Sequence, residues 1–249
     1  MDASRRTSLA AGGLFIVATA ASLMGTAVEA PITSGAGGLT QIAGNVSRVS
    51  LGGLFELIAA ATSAGIAIAL YPVLRRWSAG VALGSVVFRA IEAVMYALGA
   101  VCLLALPAVS QPLAGSSADR AASHAAGGAF LALRQEAILA GVFAFAVGAL
   151  LYYAVLFRSR LVPRWLSGWG LVAAVVMLGA CLSALFTASP VTTYTILVLP
   201  IAVQEMALAA WLIARGFEPS VVGSGLEVRV DLGNPEPGPS TSAPAALRP

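Results

Sequence analysis

Residues 166–188 read LSGWGLVAAVVMLGACLSALFTA, an apolar run without a single charged side chain. An α-helix needs about 20 consecutive apolar residues to cross the hydrocarbon core of a bilayer. The run has this length, and similar runs recur along the chain. We therefore interpret it as a membrane-spanning helix and use it as the template for the rest of the sequence.

The composition of the whole chain indicates lipid surroundings. Of the 249 residues, 59% are hydrophobic and only 10% are charged, whereas soluble domains carry about 25% charged residues. The sequence therefore predicts an all-α fold, a polytopic membrane bundle of about six transmembrane helices. The predicted spans are Leu9–Val28, Leu51–Leu74, Gly80–Leu106, Ala137–Phe157, Leu166–Ala188 and Tyr194–Ala214.

The arginines predict the orientation of this bundle, because cytoplasmic loops carry an excess of basic residues. Arginines precede the first span, fill the second-to-third and fourth-to-fifth connections, and follow the sixth span. If all of them face the cytoplasm, both termini are cytoplasmic. The residues concerned are Arg5, Arg6, Arg75, Arg76, Arg158, Arg160, Arg164 and Arg215.

The first span has an alternative interpretation as an export signal. Ser4-Arg5-Arg6 before an apolar run resembles a twin-arginine signal, and Val28-Glu29-Ala30 has the form of a cleavage site. Pro31 directly after the cut is unfavourable, and the run is longer than a usual signal core. The other five spans keep their orientation in either case.

Outside the spans, the sequence predicts two long loops and a tail. The loops are residues 31–50 and 107–134, and the stretch 116–119 in the second has the residues to cap the following helix. Residues 1–217 are expected to form the membrane domain. Residues 218–249 are rich in Pro, Gly and Ser, so they are expected to form a disordered cytoplasmic tail.

Charged residues inside the spans are the candidates for function, because each is costly in the membrane. At 1.5 Å per residue, Arg89 lies roughly 13 Å and Glu92 roughly 18 Å in from Gly80. Glu205 lies roughly 15 Å in from Arg215. These three residues therefore share a depth near mid-membrane. Three further polar residues accompany them: Tyr96 on the same helix face, Gln204 beside Glu205, and Glu56 near the outer interface.

The cluster of Arg89, Glu92 and Glu205 allows two functional interpretations. Fully ionised, it carries a net charge of −1, so one carboxyl must take up a proton or find a cation. The first interpretation is a small proton- or cation-coupled transporter. The alternative is a non-catalytic structural or assembly component, in which an Arg89–Glu205 link locks two helices while Glu92 stays protonated.

Enzyme and metal signatures are absent from the sequence. His124 is the only histidine, which excludes HExxH and His-rich metal sites, and no GxSxG elbow occurs. Cys102 and Cys181 lie in apolar runs and are expected to be core residues. We therefore expect no metal and no cofactor, and an enzyme is the least favoured class. Basic residues form no patch with interleaved aromatics, so nucleic acid is not an expected partner.

Small residues predict where helices approach closely. Gly80-x-x-x-Gly84 and Ala140-x-x-x-Ala144-x-x-x-Gly148 form two such seams. They serve contacts within the chain or, alternatively, contacts with a second copy or a membrane partner.

Several stretches resemble the DUF4386 family of bacterial six-span membrane proteins. The resemblance covers most of residues 5–217 and implies a six-span fold in the bacterial inner membrane. It implies no activity, because the family is a domain of unknown function. The stretches that carry it are ALYPVLR at 69–75, FRAIEA at 88–93, PRWLSGWG at 163–170, QEM at 204–206 and WLIARGF at 211–217.

Overall fold

The computed structural model describes residues 3–33, 38–110, 116–190, 193 and 195–219. Within these ranges the fold is built from seven α-helices and contains no strand. The helices are α1 (Ala3–Thr33), α2 (Gly38–Gly44), α3 (Val46–Leu74), α4 (Ala79–Ser110), α5 (Ser117–Ser159), α6 (Arg164–Thr187) and α7 (Thr195–Ala214). The all-α prediction is confirmed for this part of the chain.

The longer helices form a closed ring in chain order. α1 packs against α3, α3 against α4, α4 against α5, α5 against α6, and α6 against α7, which returns to α1. The short helix α2 packs onto α1, α3 and α4. Since neighbours in the ring are consecutive along the chain, the tight turns at 75–78 and 160–163 are sufficient to connect them.

Five helices, α1, α3, α4, α5 and α6, are long and apolar enough to cross a membrane. The described apolar part of α7, Leu199–Ala214, is shorter than such a span. Tyr194, where the predicted sixth span starts, lies outside the described residues. The multi-pass architecture is therefore supported by five helices.

The outer surface of the ring is strongly apolar. Phe186 is 84% exposed, and Leu23, Ile68, Val94 and Val172 are also exposed. Soluble proteins rarely leave large continuous apolar surfaces in water. This surface is the one that lipid would cover.

The first predicted loop, residues 31–50, is largely helical, so that expectation was wrong. α1 continues through Pro31, α2 occupies Gly38–Gly44, and α3 begins at Val46. The physical reason is a small apolar cluster beside the main core, in which Leu39 and Ile42 are buried. The other members of this cluster are Val49, Leu103 and Leu106, with Val109, Phe130 and Leu131 packed against them.

The second predicted loop, residues 107–134, is also mostly helical within the described residues. α4 continues through Pro107 to Ser110, and α5 begins at Ser117, well before the predicted span. Ser116 and Asp119 cap α5 reciprocally, so the predicted cap is confirmed. Hydropathy alone misplaced the start of α5, because alanine-rich segments form helices whether or not they are apolar enough for lipid. At 43 residues, α5 is roughly 65 Å long, about twice the hydrocarbon thickness.

The helix ends that carry most of the arginines meet at one end of the bundle, here called the arginine-rich end. Arg5 in α1 donates hydrogen bonds to the carbonyl oxygens of Leu212 and Ile213 in the last turn of α7. The backbone N–H of Glu218, just after α7, donates to Leu161 O in the α5–α6 turn at 3.0 Å. Most of the predicted tail lies outside the described residues, so the boundary at residue 217 stays a prediction.

The two small-residue seams are used partly inside the chain. A Cβ atom on Gly84 would come 3.1 Å from Leu151 Cδ1, and one on Gly148 would come 3.2 Å from Arg89 Cγ. Ala144 is also buried. Gly80 and Ala140, by contrast, are exposed. The close approach of α4 and α5 therefore depends on the glycines.

Replacing Gly170 in α6 with alanine should destabilise the fold by about 1–3 kcal/mol, because the added methyl overpacks the core. Its Cβ would come 2.6 Å from Cδ1 and Cζ of the Tyr153 ring, which a hydrogen bond to Gln204 holds in place. Gly179→Ala in the same helix is the matched control, since a Cβ there meets nothing within 4 Å. Thermal unfolding of both variants in detergent would test this, and equal midpoints would contradict it.

Candidate functional site

Arg89 lies on the inner face of α4 and is only 1% exposed. The absence of a side chain on Gly148 of α5 leaves space for its aliphatic stem. Its guanidinium lies over the Phe145 ring, with Cζ 4.5 Å from the ring centroid, a favourable cation–π distance. The sequence placed Arg89 at mid-membrane depth, and the structure places it at the centre of the ring of helices.

Glu92 is the closest charged partner of Arg89. Its Oε2 lies 3.0 Å from Nη1 of Arg89, one helical turn earlier. Its Oε1 accepts a hydrogen bond of 2.7 Å from the hydroxyl of Ser63 on α3. Glu92 is 2% exposed and Ser63 is 5% exposed. The carboxylate therefore has a cation on one oxygen and a hydroxyl donor on the other.

Glu205 reaches the same guanidinium from the opposite side of the ring. Its Oε1 lies 4.0 Å from Nη2 of Arg89 and accepts a hydrogen bond of 3.2 Å from the hydroxyl of Tyr152 on α5. Arg89 thus lies between two carboxyl groups, and the shorter contact is with Glu92. An Arg89–Glu205 link is present, but it is the looser of the two. Arg89, Glu92 and Glu205 are here called the central cluster.

Gln204, beside Glu205, has a positional role in the structure. Its Oε1 accepts a hydrogen bond from the hydroxyl of Tyr153, and its Nε2 donates to Leu166 O at 3.0 Å. These bonds join α7 to α5 and α6. Gln204 therefore sets the rotation of α7 that turns Glu205 toward Arg89.

Tyr96 lies one turn beyond Glu92 on the same face of α4. Its ring packs against Gly141 of α5, where a Cβ would collide with it. The side chain is partly exposed, and the hydrogen bonds of Glu92 and Glu205 come from Ser63 and Tyr152 instead. The structure thus brings Tyr96 to the edge of the central cluster without making it a ligand of the charges.

A second ion cluster, here called the Arg134 triad, joins three helices toward the end of the bundle opposite the arginine-rich end. Nη2 of Arg134 on α5 contacts Oε2 of Glu29 on α1 at 2.6 Å and also contacts Oε1 of Glu56 on α3. Glu29 is buried, and a Cβ on Gly52 would come 2.6 Å from its Cγ. Glu56, predicted as an additional polar residue, therefore belongs to this triad and not to the central cluster.

Sequence reasoning did not find this triad, because it placed Arg134 in a loop and Glu29 at a possible cleavage site. The helical register held a usable signal. Arg134, Gly141, Gly148 and Tyr152 follow one another on α5 at intervals of seven, seven and four residues, which put them on one helix face. The buried residues of that face indicate that Arg134 points inward. Glu136, two residues away, is exposed.

The two clusters share one charge pattern. Each holds two carboxyl groups and one guanidinium, and so each carries a net charge of −1 when fully ionised. Among the described residues, no group of three His, Cys, Asp or Glu side chains is placed to hold a metal ion. Cys102 and Cys181 are buried free thiols, and His124 is exposed on α5.

A ring of apolar helices around buried ion pairs defines the class as a polytopic helical membrane protein. The family model for DUF4386, described as a domain of unknown function, matches residues 10–216. The match covers most of the chain, so the protein belongs to the DUF4386 family, and the resemblance seen in the sequence is confirmed. No curated protein and no solved structure matches the chain.

Proposed function

We propose that the protein is a small proton-coupled membrane transporter whose proton site is the central cluster. The observation that carries this proposal is the presence of two buried carboxyl groups around one buried guanidinium. A surplus negative charge away from water is expensive, so one carboxyl binds a proton. A purely structural ion pair needs only one carboxylate.

Glu205 is the carboxyl that exchanges the proton in this proposal. Glu92 has a close ion pair with Arg89 and a hydrogen bond of 2.7 Å from Ser63. Glu205 has a longer contact of 4.0 Å to Arg89 and one hydrogen bond from Tyr152. Protonation of Glu205 therefore gives up less stabilisation than protonation of Glu92.

A proton fits this cluster better than a metal cation does. Calcium takes six to eight oxygen ligands, and magnesium requires near-ideal octahedral coordination. The central cluster has two carboxyl groups, and the guanidinium between them repels a second cation. The coupling ion proposed here is therefore the proton.

The orientation proposed for this transporter has the arginine-rich end in the cytoplasm. The positive-inside rule supports it, because Arg75, Arg76, Arg160 and Arg215 all lie at that end. α7 closes the ring between α6 and α1, and we propose it as the sixth span. Both termini are then cytoplasmic, and the membrane is the bacterial inner membrane. Gly80 and Ala140 are exposed and available for contact with a second copy or a membrane partner.

Glu205→Gln should reduce proton flux to the background of empty vesicles. Glutamine has nearly the same shape as glutamate and still accepts a hydrogen bond from Tyr152, but it cannot exchange the proton. The measurement is the internal pH of proteoliposomes after a pH jump, with wild type and Glu136→Gln, an exposed carboxyl, as controls. Flux of Glu205→Gln at the wild-type rate would refute the assignment.

The structural role is the second candidate, and one observation favours it. The central cluster and its hydrogen-bond partners come from α3, α4, α5 and α7. The hydrogen bond from Gln204 on α7 to Leu166 O connects α6 to them. Contacts that join these five helices could serve the assembly of the bundle alone. In that case wild-type vesicles would show no flux above empty vesicles, and Glu205→Gln would unfold at a lower temperature than Glu136→Gln.

A further inference from the structure

A cavity of about 580 Å³ opens at the arginine-rich end, between the α5–α6 turn and the end of α7. Three arginines line it, Arg160, Arg164 and Arg215, together with Trp211 and Glu218. We call it the arginine cavity. It is separate from the central cluster, since none of the residues that line it belongs to that cluster or donates a hydrogen bond to it.

The charge of the arginine cavity is strongly positive. Its lining carries three guanidinium groups and one carboxylate, an excess of two positive charges. The three arginines are exposed. The ion pairs at Arg89 and Arg134 include none of the three cavity arginines. Guanidinium groups bind phosphate through paired N–H donors, which makes an anion of this shape the fitting ligand.

The arginine cavity also has an apolar side. Arg215 lies over the Trp211 ring, with Cζ 5.9 Å from the centroid, and Arg164 lies over Phe157 at 5.5 Å. Trp165, directly after Arg164, is 61% exposed. Exposed tryptophan is typical of the interface between headgroups and acyl chains. Basic pockets at this depth, between the ends of membrane helices, suit lipid headgroups.

We propose that the arginine cavity binds a phosphate group, as carried by the headgroup of an anionic lipid such as phosphatidylglycerol. Arg164 and Arg215 hold the phosphate oxygens from two helix ends, and Arg160 adds charge from the α5–α6 turn. The acyl chains then leave along the apolar surface beside Trp165. A bound lipid would join α5, α6 and α7 at this end. This proposal does not depend on proton transport.

The test is binding of short-chain phosphatidylglycerol to the purified full-length chain in detergent, measured by calorimetry. Arg164→Gln with Arg215→Gln should weaken binding about 25-fold, because each arginine near an anionic lipid contributes about fivefold. Arg75→Gln with Arg76→Gln is the matched control. It removes the same charge at the same end, outside the cavity lining, and should leave binding unchanged.

Two further arms identify the ligand. Short-chain phosphatidylcholine should bind far more weakly than phosphatidylglycerol, because its headgroup has no net charge. If inorganic phosphate bound as tightly as the lipid, the cavity would recognise phosphate, and its ligand would be free phosphate and not a lipid headgroup. Thermal unfolding without lipid checks that both double variants fold. If the variant with Arg164→Gln and Arg215→Gln does not fold, Arg160→Gln is tested in its place. Equal affinity for the two lipids, or equal loss in the control, would overturn the proposal.

Discussion

Replacing Arg89 with glutamine should lower the free energy of unfolding by about 3–5 kcal/mol, the usual cost of removing one partner from a buried ion pair. Glu92 and Glu205 would remain buried without their shared cation, and the cation–π contact with Phe145 would be lost. The loss should shrink as the pH falls, because protonated carboxyl groups need no counter-charge. Unfolding of the purified protein in detergent, at several pH values, measures both effects.

Arg75→Gln is the control for this experiment. Arg75 is exposed at the end of α3, and its Cζ lies 5.7 Å from the centroid of the Tyr71 ring. Exposed substitutions of this kind usually change stability by less than about 0.5 kcal/mol. If Arg89→Gln unfolded at the same midpoint as Arg75→Gln, the central cluster would not be a buried ion pair at all.

Replacing Arg134 with glutamine should lower the free energy of unfolding by about 2–3 kcal/mol. This is less than the loss expected for Arg89→Gln, because the Arg134 triad is partly accessible to solvent. Arg134 is the group that joins α5 to α1 and α3 through Glu29 and Glu56. Its loss removes the guanidinium that both carboxyl groups contact. Thermal unfolding should show the effect, and cysteine pairs across α1 and α5 should cross-link less efficiently.

Glu136→Gln is the matched control for Arg134, since it lies two residues away on the same helix and is exposed. A double-mutant cycle adds a sharper test. Arg134→Gln combined with Glu56→Gln should cost less than the sum of the single changes, because the second change removes one of the uncompensated charges. Strict additivity would show that Arg134 and Glu56 do not interact.

The two arginine variants also separate the candidate functions. Stability lost in both variants would show that the clusters hold the ring together, which either function allows. Flux lost in Glu205→Gln without loss of stability is expected only of the transporter. The lipid proposal is tested by different residues, so its result is independent of both.

Sequence reasoning located the central cluster but not its pairing. Counting 1.5 Å per residue matched the depths of Arg89, Glu92 and Glu205, because helical rise is nearly constant. Which carboxyl lies closer to Arg89 depends on helix rotation, and Gln204 and Ser63 take part in setting it through bonds to distant helices. Rotation cannot be counted along one helix, and the Arg89–Glu205 link expected under the structural interpretation is the looser of the two contacts.

The sequence by itself determined the membrane class, the helical architecture and the end of the bundle where arginines gather. These follow from hydropathy and charge, which act residue by residue along the chain. Tertiary structure alone decided the closed ring and the Arg134 triad. Each depends on side chains from helices far apart in sequence meeting at one point. Glu29, Glu56 and Arg134 form a site only because the ring brings these side chains of α1, α3 and α5 together, and no local pattern encodes that meeting.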